Sequence, residues 1–232
     1  NGRDEEGNLI PQDPHPVLGD VRVRQAIAHA IDYQSIIDNI LLGQGYPMAA
    51  NVLPVIEWAV NTDLSPYAYD LEAAQALLEE AGWVDSNGDG IREKDGMEMK
   101  LGLITNAGNT TREDIGVYVQ DQLKQIGINV DFQALDFGTV LEQMDAQTYD
   151  MYILGWTNIG SDPNDDVFWS SAFDVVGSGF NNTSYQNARV EELLVEGYSV
   201  PGCAPADRAP IYKEIQQIIH EELPYIFLAV VL

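Results

Sequence analysis

Residues 97–156 read MEMKLGLITNAGNTTREDIGVYVQDQLKQIGINVDFQALDFGTVLEQMDAQTYDMYILGW, and the hydrophobic period changes four times along them. Met97–Thr105 has strand character, with Leu101, Leu103 and Ile104. Thr110–Ile126 places Ile115, Val119, Leu123 and Ile126 at helical spacing. Ile128–Leu135 returns to a strand through Ile128, Val130 and Phe132, and Gly138–Gln147 to a helix. Tyr149–Trp156 is apolar almost throughout, the pattern of a strand buried on both faces. The order β-α-β-α-β builds a parallel sheet with right-handed crossovers.

Outward from this core the chain is mostly helical. Residues 1–19 form an extended, turn-rich lead-in with Pro11, Pro14, Pro16 and Gly19. Asp20 is placed to cap a helix carrying Val21, Val23, Ile27, Ala30 and Ile31 on one stripe. Asp32 caps a second, closed by Gly43, and Asp70 a third, Leu71–Ala81. A Pro-containing loop with Pro47, Pro54 and Pro66 lies between the last two. Beyond the core come a Gly/Asn-rich loop over Gly177–Gln186, a helix from Asn187, and a helix from about Asp207 to Glu222 that Pro224 stops. Tyr225–Leu232 reads as an apolar strand. Its finish on Ile226–Leu232, without a polar residue, leads us to expect that the next element was cut away or lies on another segment, with a buried terminal strand as the alternative.

Length and composition limit the chemistry. The chain has 232 residues, 45% hydrophobic and 9% aromatic, as in a folded globule. Its 37 Asp and Glu against 11 Lys and Arg give a net charge of −26, which repels phosphate backbones and argues against nucleic acid as a partner. One cysteine, Cys203, and three histidines leave little material for a zinc or iron site. No nucleophile elbow, phosphate loop, dinucleotide fingerprint or zinc-protease motif occurs, and no catalytic residue is identified.

In an open parallel sheet, ligands bind beyond the carboxyl ends of the strands. Those ends deliver Asn106 and Asn109, then Asp136 and Phe137, then Trp156, Thr157 and Asn158, with Asp162, Asp165 and Asp166 following. An indole face beside amides and hydroxyls suits a large polar ligand, while a tryptophan closing the end of the core is the alternative. The acidic stretch Asp85-Ser86-Asn87-Gly88-Asp89-Gly90 resembles a calcium loop, with Asp85, Asn87 and Asp89 as candidate ligands. It departs from the EF-hand, because its twelfth position is Gly96, and an Asx/Gly turn explains the same residues.

Several segments resemble one family. Asp20–Asp32 (DVRVRQAIAHAID), Tyr69–Trp83 (YDLEAAQALLEEAGW), Gln122–Ile128 (QLKQIGI), and Tyr149-Asp150 through Gly155-Trp156 to Asp162-Pro163 are similar to the extracellular solute-binding proteins of peptide/nickel-type ABC importers, family 5. The resemblance runs from residue 20 to about 228. It implies an α/β lobe of the periplasmic-binding-protein type II kind, with a mixed sheet around the β-α-β-α-β core and flanking helices. Residues 1–232 would then be a single lobe, the C-terminal ligand-binding half of a protein about twice as long. The resemblance further implies an extracytoplasmic, lipid-anchored receptor that closes with its N-terminal lobe on a solute, performs no catalysis, and docks on a membrane permease.

The resemblance places Trp156 at the position of the tryptophan that lines the cleft in the family. Peptide binders of the family commonly carry an acidic residue three positions later, where this chain has Ile159. Arginines of some oligopeptide binders correspond to Met144 and Ile153. These departures leave an oligosaccharide as the alternative to a peptide ligand and make Asp162 the candidate to receive an amine. They disfavour nickel, since no His or Cys lies near the rim. A hydrolase using the Asp162–Asp166 loop is the competing reading from a different class.

Overall fold

The computed structural model describes residues 13–156 and 162–232. Within the lead-in, Asp13–Gly19 ends in a turn closed by the Gly19 N–H on the His15 carbonyl. The first twelve residues of the expected lead-in lie outside the described residues.

Three aspartates start three helices, as their positions predict. Asp20 accepts from the Arg22 N–H and opens α1, Val21–Ala30. Asp32 accepts from the Ser35 N–H and opens α2, Tyr33–Ser35, which widens into a π-type turn over Ile36–Ile40. That turn ends on Leu42 and Gly43, both at positive φ. A two-residue strand, β1 (Gly45–Tyr46), and a turn-rich loop lead to α3, Leu71–Glu80, capped by Asp70 on the Ala73 N–H. Each such cap satisfies an amide that the helix leaves open and is worth about 1 kcal/mol.

The expected strand Met97–Thr105 is divided. β2 (Glu93–Lys94) and β3 (Met97–Glu98) form a small antiparallel ribbon, and β4 (Lys100–Asn106) begins the parallel sheet. Met99 is the break: its N–H bonds to the Arg92 carbonyl and its carbonyl to the Asn129 N–H, so the chain changes partner there. α4 (Thr110–Lys124), β5 (Asn129–Leu135), α5 (Phe137–Ala146) and β6 (Met151–Tyr152) follow. The strand order is β5-β4-β6, with Lys100 opposite Asn129 and Leu103 opposite Met151.

Alternation along β4 explains the layers. Leu101 and Leu103 point to the main core, which also receives Ile115, Val119 and Leu123 of α4 and the buried stripes of α1 and α3. Ile104 points to the opposite face, where α5 supplies Val140 and Met144. The two crossover helices therefore cover opposite faces, as right-handed crossovers to either side of β4 require.

Strand β6 is shorter than the apolar run Tyr149–Trp156 suggests. The Ile153 N–H still bonds to the Ile104 carbonyl, but the Thr105 hydroxyl then takes the Ile153 carbonyl and ends the ladder. The two-sided burial comes from packing: Met151 and Ile153 join the main core, while Tyr149, Tyr152 and Leu154 join the α5 face.

A second core lies beyond the sheet. It is formed by α6 (Asp166–Trp169), α7 (Ala188–Ser199) and α8 (Pro205–Glu222) with Val52, Ile56 and Ala59 from the turn-rich loop. The run Tyr225–Leu232 is not the continuous strand expected. Only β7, Val230–Val231, pairs, antiparallel with β1. Before it, Ile226 and Leu228 face the main core while Tyr225 and Phe227 face the second. Its uninterrupted hydrophobicity thus reflects a partition wall between two cores.

Gly116 sets the approach of α4 to β5. A Cβ there would lie 2.1 Å from Cε2 of Phe132. Alanine gains about 1 kcal/mol of helix propensity but loses about 1–3 kcal/mol to overpacking. Gly116→Ala should therefore cost up to about 2 kcal/mol in a urea melt; a stabilising result would show that Phe132 moves aside freely.

Candidate functional site

A cleft of about 1720 Å³ opens between β6, the wall at Pro224–Val231 and the second core. Its aromatic side is formed by Trp156, Phe168, Trp169, Tyr185, Tyr225 and Phe227. Trp156 is 37% exposed and packs against Phe168 with ring centroids 4.5 Å apart and against Phe180 at 5.8 Å. It stands beyond β6, where the strand order reverses around β4, which is the crevice position expected of an open parallel sheet.

The other strand-end residues have local structural partners. Asn109 caps α4 on the Arg112 N–H, and Asp136 caps α5 on the Gly138 N–H. Phe137 is half exposed, and neither it nor Asp136 lines the cleft. Asn106 also lies off the cleft wall, but its Oδ1 accepts from Arg112 Nη1 at 2.7 Å, and Arg112 does line the cleft. Thr157 and Asn158 lie outside the described residues. Of the described residues at the strand ends themselves, Trp156 alone lies on the cleft wall.

Asp162 is held in a bidentate pair with Arg208, at 2.7 and 2.9 Å. This hydrogen bonding holds its carboxyl below the usual aspartate value. The neighbouring Asp165 differs. It lines the cleft, accepts from Asn51 Nδ2 at 2.8 Å, and pairs with no cation among the described residues. Burial pushes its pKa up to about 6, assisted by the nearby charges of Asp166 and Asp162 and opposed by the Asn51 hydrogen bond. Its side chain does not cap α6, although it sits at the cap position.

The polar atoms of the cleft are incompletely satisfied. Asn51 is 7% exposed and its Oδ1 has no partner among the described residues; Trp169 Nε1 and Thr183 Oγ1 also lack one. All three residues line the cleft. Buried polar groups almost always find partners, so several orphans facing one cavity mark a place where water or a ligand completes the bonding. In the sequence, Asp165 is marked only as part of an acidic loop. Asn51 carries no signal of its own, because it reaches Asp165 across 114 positions.

A raised aspartate pKa has a definite sign. Between about pH 3.8 and 6 the unfolded state gives up its Asp165 proton before the folded state does, so stability falls over that window. Asp165→Asn removes this loss. We expect it to stabilise the fold at pH 7.5 by about 1 kcal/mol, allowing for partial solvent access, and to have little effect at pH 3.5. A melt series in which the variant is no more stable at pH 7.5 would refute this.

In the acidic loop, Asp85 accepts from the Gly88 and Gly90 N–H groups, Asn87 Oδ1 from the Asp89 N–H, and Asp89 Oδ1 from the Ile91 N–H. These are the bonds of successive Asx turns, and a calcium ion would compete with backbone amides for the same oxygens. Calcium and chelator melts separate the two roles: a midpoint lowered by chelator marks a structural ion, and an unchanged one a self-sufficient turn.

Known proteins share this architecture. The family model described as "Bacterial extracellular solute-binding proteins, family 5 Middle" matches residues 5–175. The oligopeptide-binding protein AppA of Bacillus subtilis (strain 168) is 37% identical over 215 residues, a match that takes in 90% of this chain and 38% of AppA. The structure of Bacillus subtilis AppA in complex with a nonapeptide superposes with a TM-score of 0.86 at 33% identity, covering 99% of this chain and 44% of that one. Helicobacter pylori DppA in complex with the peptide STSA gives a TM-score of 0.79 at 27% identity, covering 93% and 39%. The chain thus spans less than half the length of the relatives it matches. Among the described residues, no helix is long and apolar enough to cross a membrane.

Proposed function

The chain belongs to the bacterial extracellular solute-binding proteins of family 5, and on that footing we propose that it is the C-terminal ligand-binding lobe of an ABC importer's solute receptor. The whole receptor captures an oligopeptide without covalent chemistry, between this lobe and an N-terminal one, and presents it to the membrane permease. It works outside the cytoplasmic membrane, held there by a lipid anchor.

The observation that carries this reading is the cleft itself. At about 1720 Å³ it exceeds the roughly 300–1,000 Å³ of ordinary small-molecule pockets, so an extended ligand of several residues fits. Its wall combines a tryptophan face with an arginine, Arg112, and an aspartate, Asp165, that pair with no opposite charge among the described residues. Apolar side chains, amides and charges of both signs are what a peptide offers in return. The relatives agree in kind: AppA is named for oligopeptide binding and was solved with a nonapeptide. A hydrolase mechanism has less to work with, since Arg208 occupies Asp162 and Asn51 holds Asp165.

The test uses the full-length protein, incubated with pools of peptides and of neutral oligosaccharides and then analysed by mass spectrometry of what stays bound. Recovery of unchanged peptides supports the reading. Retention of oligosaccharide alone would overturn the ligand class, and time-dependent product formation would overturn the receptor assignment.

A further inference from the structure

We propose that His15 is a pH-operated latch, which ties the lead-in to the sheet while its imidazole is neutral and loosens the turn over Asp13–Gly19 when it takes a proton. This goes beyond the receptor reading and does not depend on it.

The two ring nitrogens of His15 have fixed and different duties. Nδ1 accepts from two backbone amides, the Val17 N–H at 3.1 Å and the Leu18 N–H at 2.9 Å. A backbone N–H can only donate, so Nδ1 keeps its lone pair and the proton of the neutral ring sits on Nε2. Nε2 then donates to Asp150 Oδ1 at 3.0 Å. Asp150 Oδ2 in turn accepts from the Gly102 N–H of β4 at 2.7 Å. β6 begins one residue later, with Met151 opposite Leu103, so this carboxylate serves the β4 amide just before the ladder. One neutral imidazole thus joins the lead-in, β4 and the approach to β6.

A second proton cannot be added to this arrangement. It would convert Nδ1 from acceptor to donor and set its N–H against those of Val17 and Leu18. The ring must turn away, which breaks both turn bonds, yet the imidazolium can still donate to Asp150, now as a charge pair. The His15 and Asp150 side chains are 34% and 38% exposed, so solvent protons reach them. Asp13 in the lead-in is a second acid beside the latch, and Arg24 of α1 is the facing cation, its Nη1 donating to the Leu18 and Gly19 carbonyls at 2.7 and 3.2 Å. Other cations on the neighbouring elements are engaged elsewhere: Arg22 with Asp20, Lys100 with Glu98, and Arg112 with Asn106. Val17 is buried in the main core and Leu18 packs against it, so the segment stays attached and the loosening is confined to the turn. Asp13, His15, Leu18, Gly19 and Asp150 all line the cleft, so acid loosens one edge of it.

Hydrogen exchange on the full-length protein tests the latch, with each rate corrected for the intrinsic effect of pH. In the wild type, protection of the Val17 and Leu18 amides should fall at least fivefold between pH 7.5 and 5.5, the span in which imidazoles ordinarily titrate. Protection of the Gly102 amide should change less than twofold, because Asp150 keeps hold of it. His15→Asn supplies an amide oxygen that accepts from the same two N–H groups and does not titrate, so its protection should stay within twofold across the span. His15→Ala should be as weakly protected at pH 7.5 as the wild type is at pH 5.5. Equal protection of the wild type at both pH values overturns the latch, and so does a loss in His15→Asn that matches the wild type's. Either result leaves the receptor reading standing, since no ligand enters the measurement.

Discussion

Arg208→Met should destabilise the fold by about 2–4 kcal/mol. Arg208 is 9% exposed, and all three of its guanidinium nitrogens donate hydrogen bonds. Nε donates to the Gly197 carbonyl at 2.9 Å, Nη1 and Nη2 donate to both Asp162 oxygens, and Nη2 also donates to the Tyr212 hydroxyl. The group lies 5.5 Å from the Trp58 ring centroid and 5.0 Å from that of Tyr212. Methionine keeps much of the volume but orphans the Gly197 carbonyl and removes the tie between α7, α8 and the loop carrying Asp165. The upper end of the range for a broken buried pair is not reached, because the Asp162 side chain is 55% exposed and rehydrates. Lysine should rescue little, since an ammonium cannot make the fork to both oxygens and still reach Gly197.

The pair also fixes an acid limb. Asp162 titrates below its ordinary value of 3.8 in the fold, because Arg208 hydrogen-bonds its charged form. Its contribution is present above pH 3.8 and is lost as pH falls through the lower folded value. In Arg208→Met that part of the acid limb should flatten. A urea melt within about 0.5 kcal/mol of wild type, at neutral pH, would show that Arg208 is dispensable.

Trp156→Ala should weaken ligand binding by about 1–3 kcal/mol, or roughly 5–150-fold, with little change in stability. The indole rests on Phe168 and Phe180, so its orientation is set before a ligand arrives. More than a third of it is already in solvent, which limits what the fold loses when it is removed. Trp156→Phe should keep part of the affinity, because a smaller ring offers the same kind of face. Calorimetry with a peptide recovered from the full-length protein is the measurement. Unchanged affinity in the alanine variant would remove Trp156 from the site.

Much of the fold was legible because it is local. Asp20, Asp32 and Asp70 precede apolar stripes, and each caps the helix that follows within three residues. The period change along 97–156 predicted the parallel core, since alternate residues of β4 must serve opposite faces. Errors arose where a distant group intervened. Thr105 ends β6 by taking the Ile153 carbonyl, 48 positions away, and Met99 divides a predicted strand by bonding to Arg92 and Asn129. The run Tyr225–Leu232 departs from a continuous strand for a related reason, because burial between two cores gives the same apolar run as a central strand.

The site divides along the same line. Trp156 could be placed at the rim from sequence, because a parallel sheet gathers its strand ends along one edge. Asn109 and Asp136 occupy such ends too, yet they cap the next helix, a competing local use that residue type cannot distinguish from ligand binding. The partners of the two aspartates were decided only by tertiary structure. Arg208 reaches Asp162 across 46 positions and Asn51 reaches Asp165 across 114, so one acid is neutralised and the other left facing the cleft. Sequence by itself determined the helix caps and the β-α-β-α-β order of the core, since these follow from hydrogen bonds and periodicity within a few residues. Which carboxylate is free to act depends on the charges that folding brings beside it, and no local pattern encodes that.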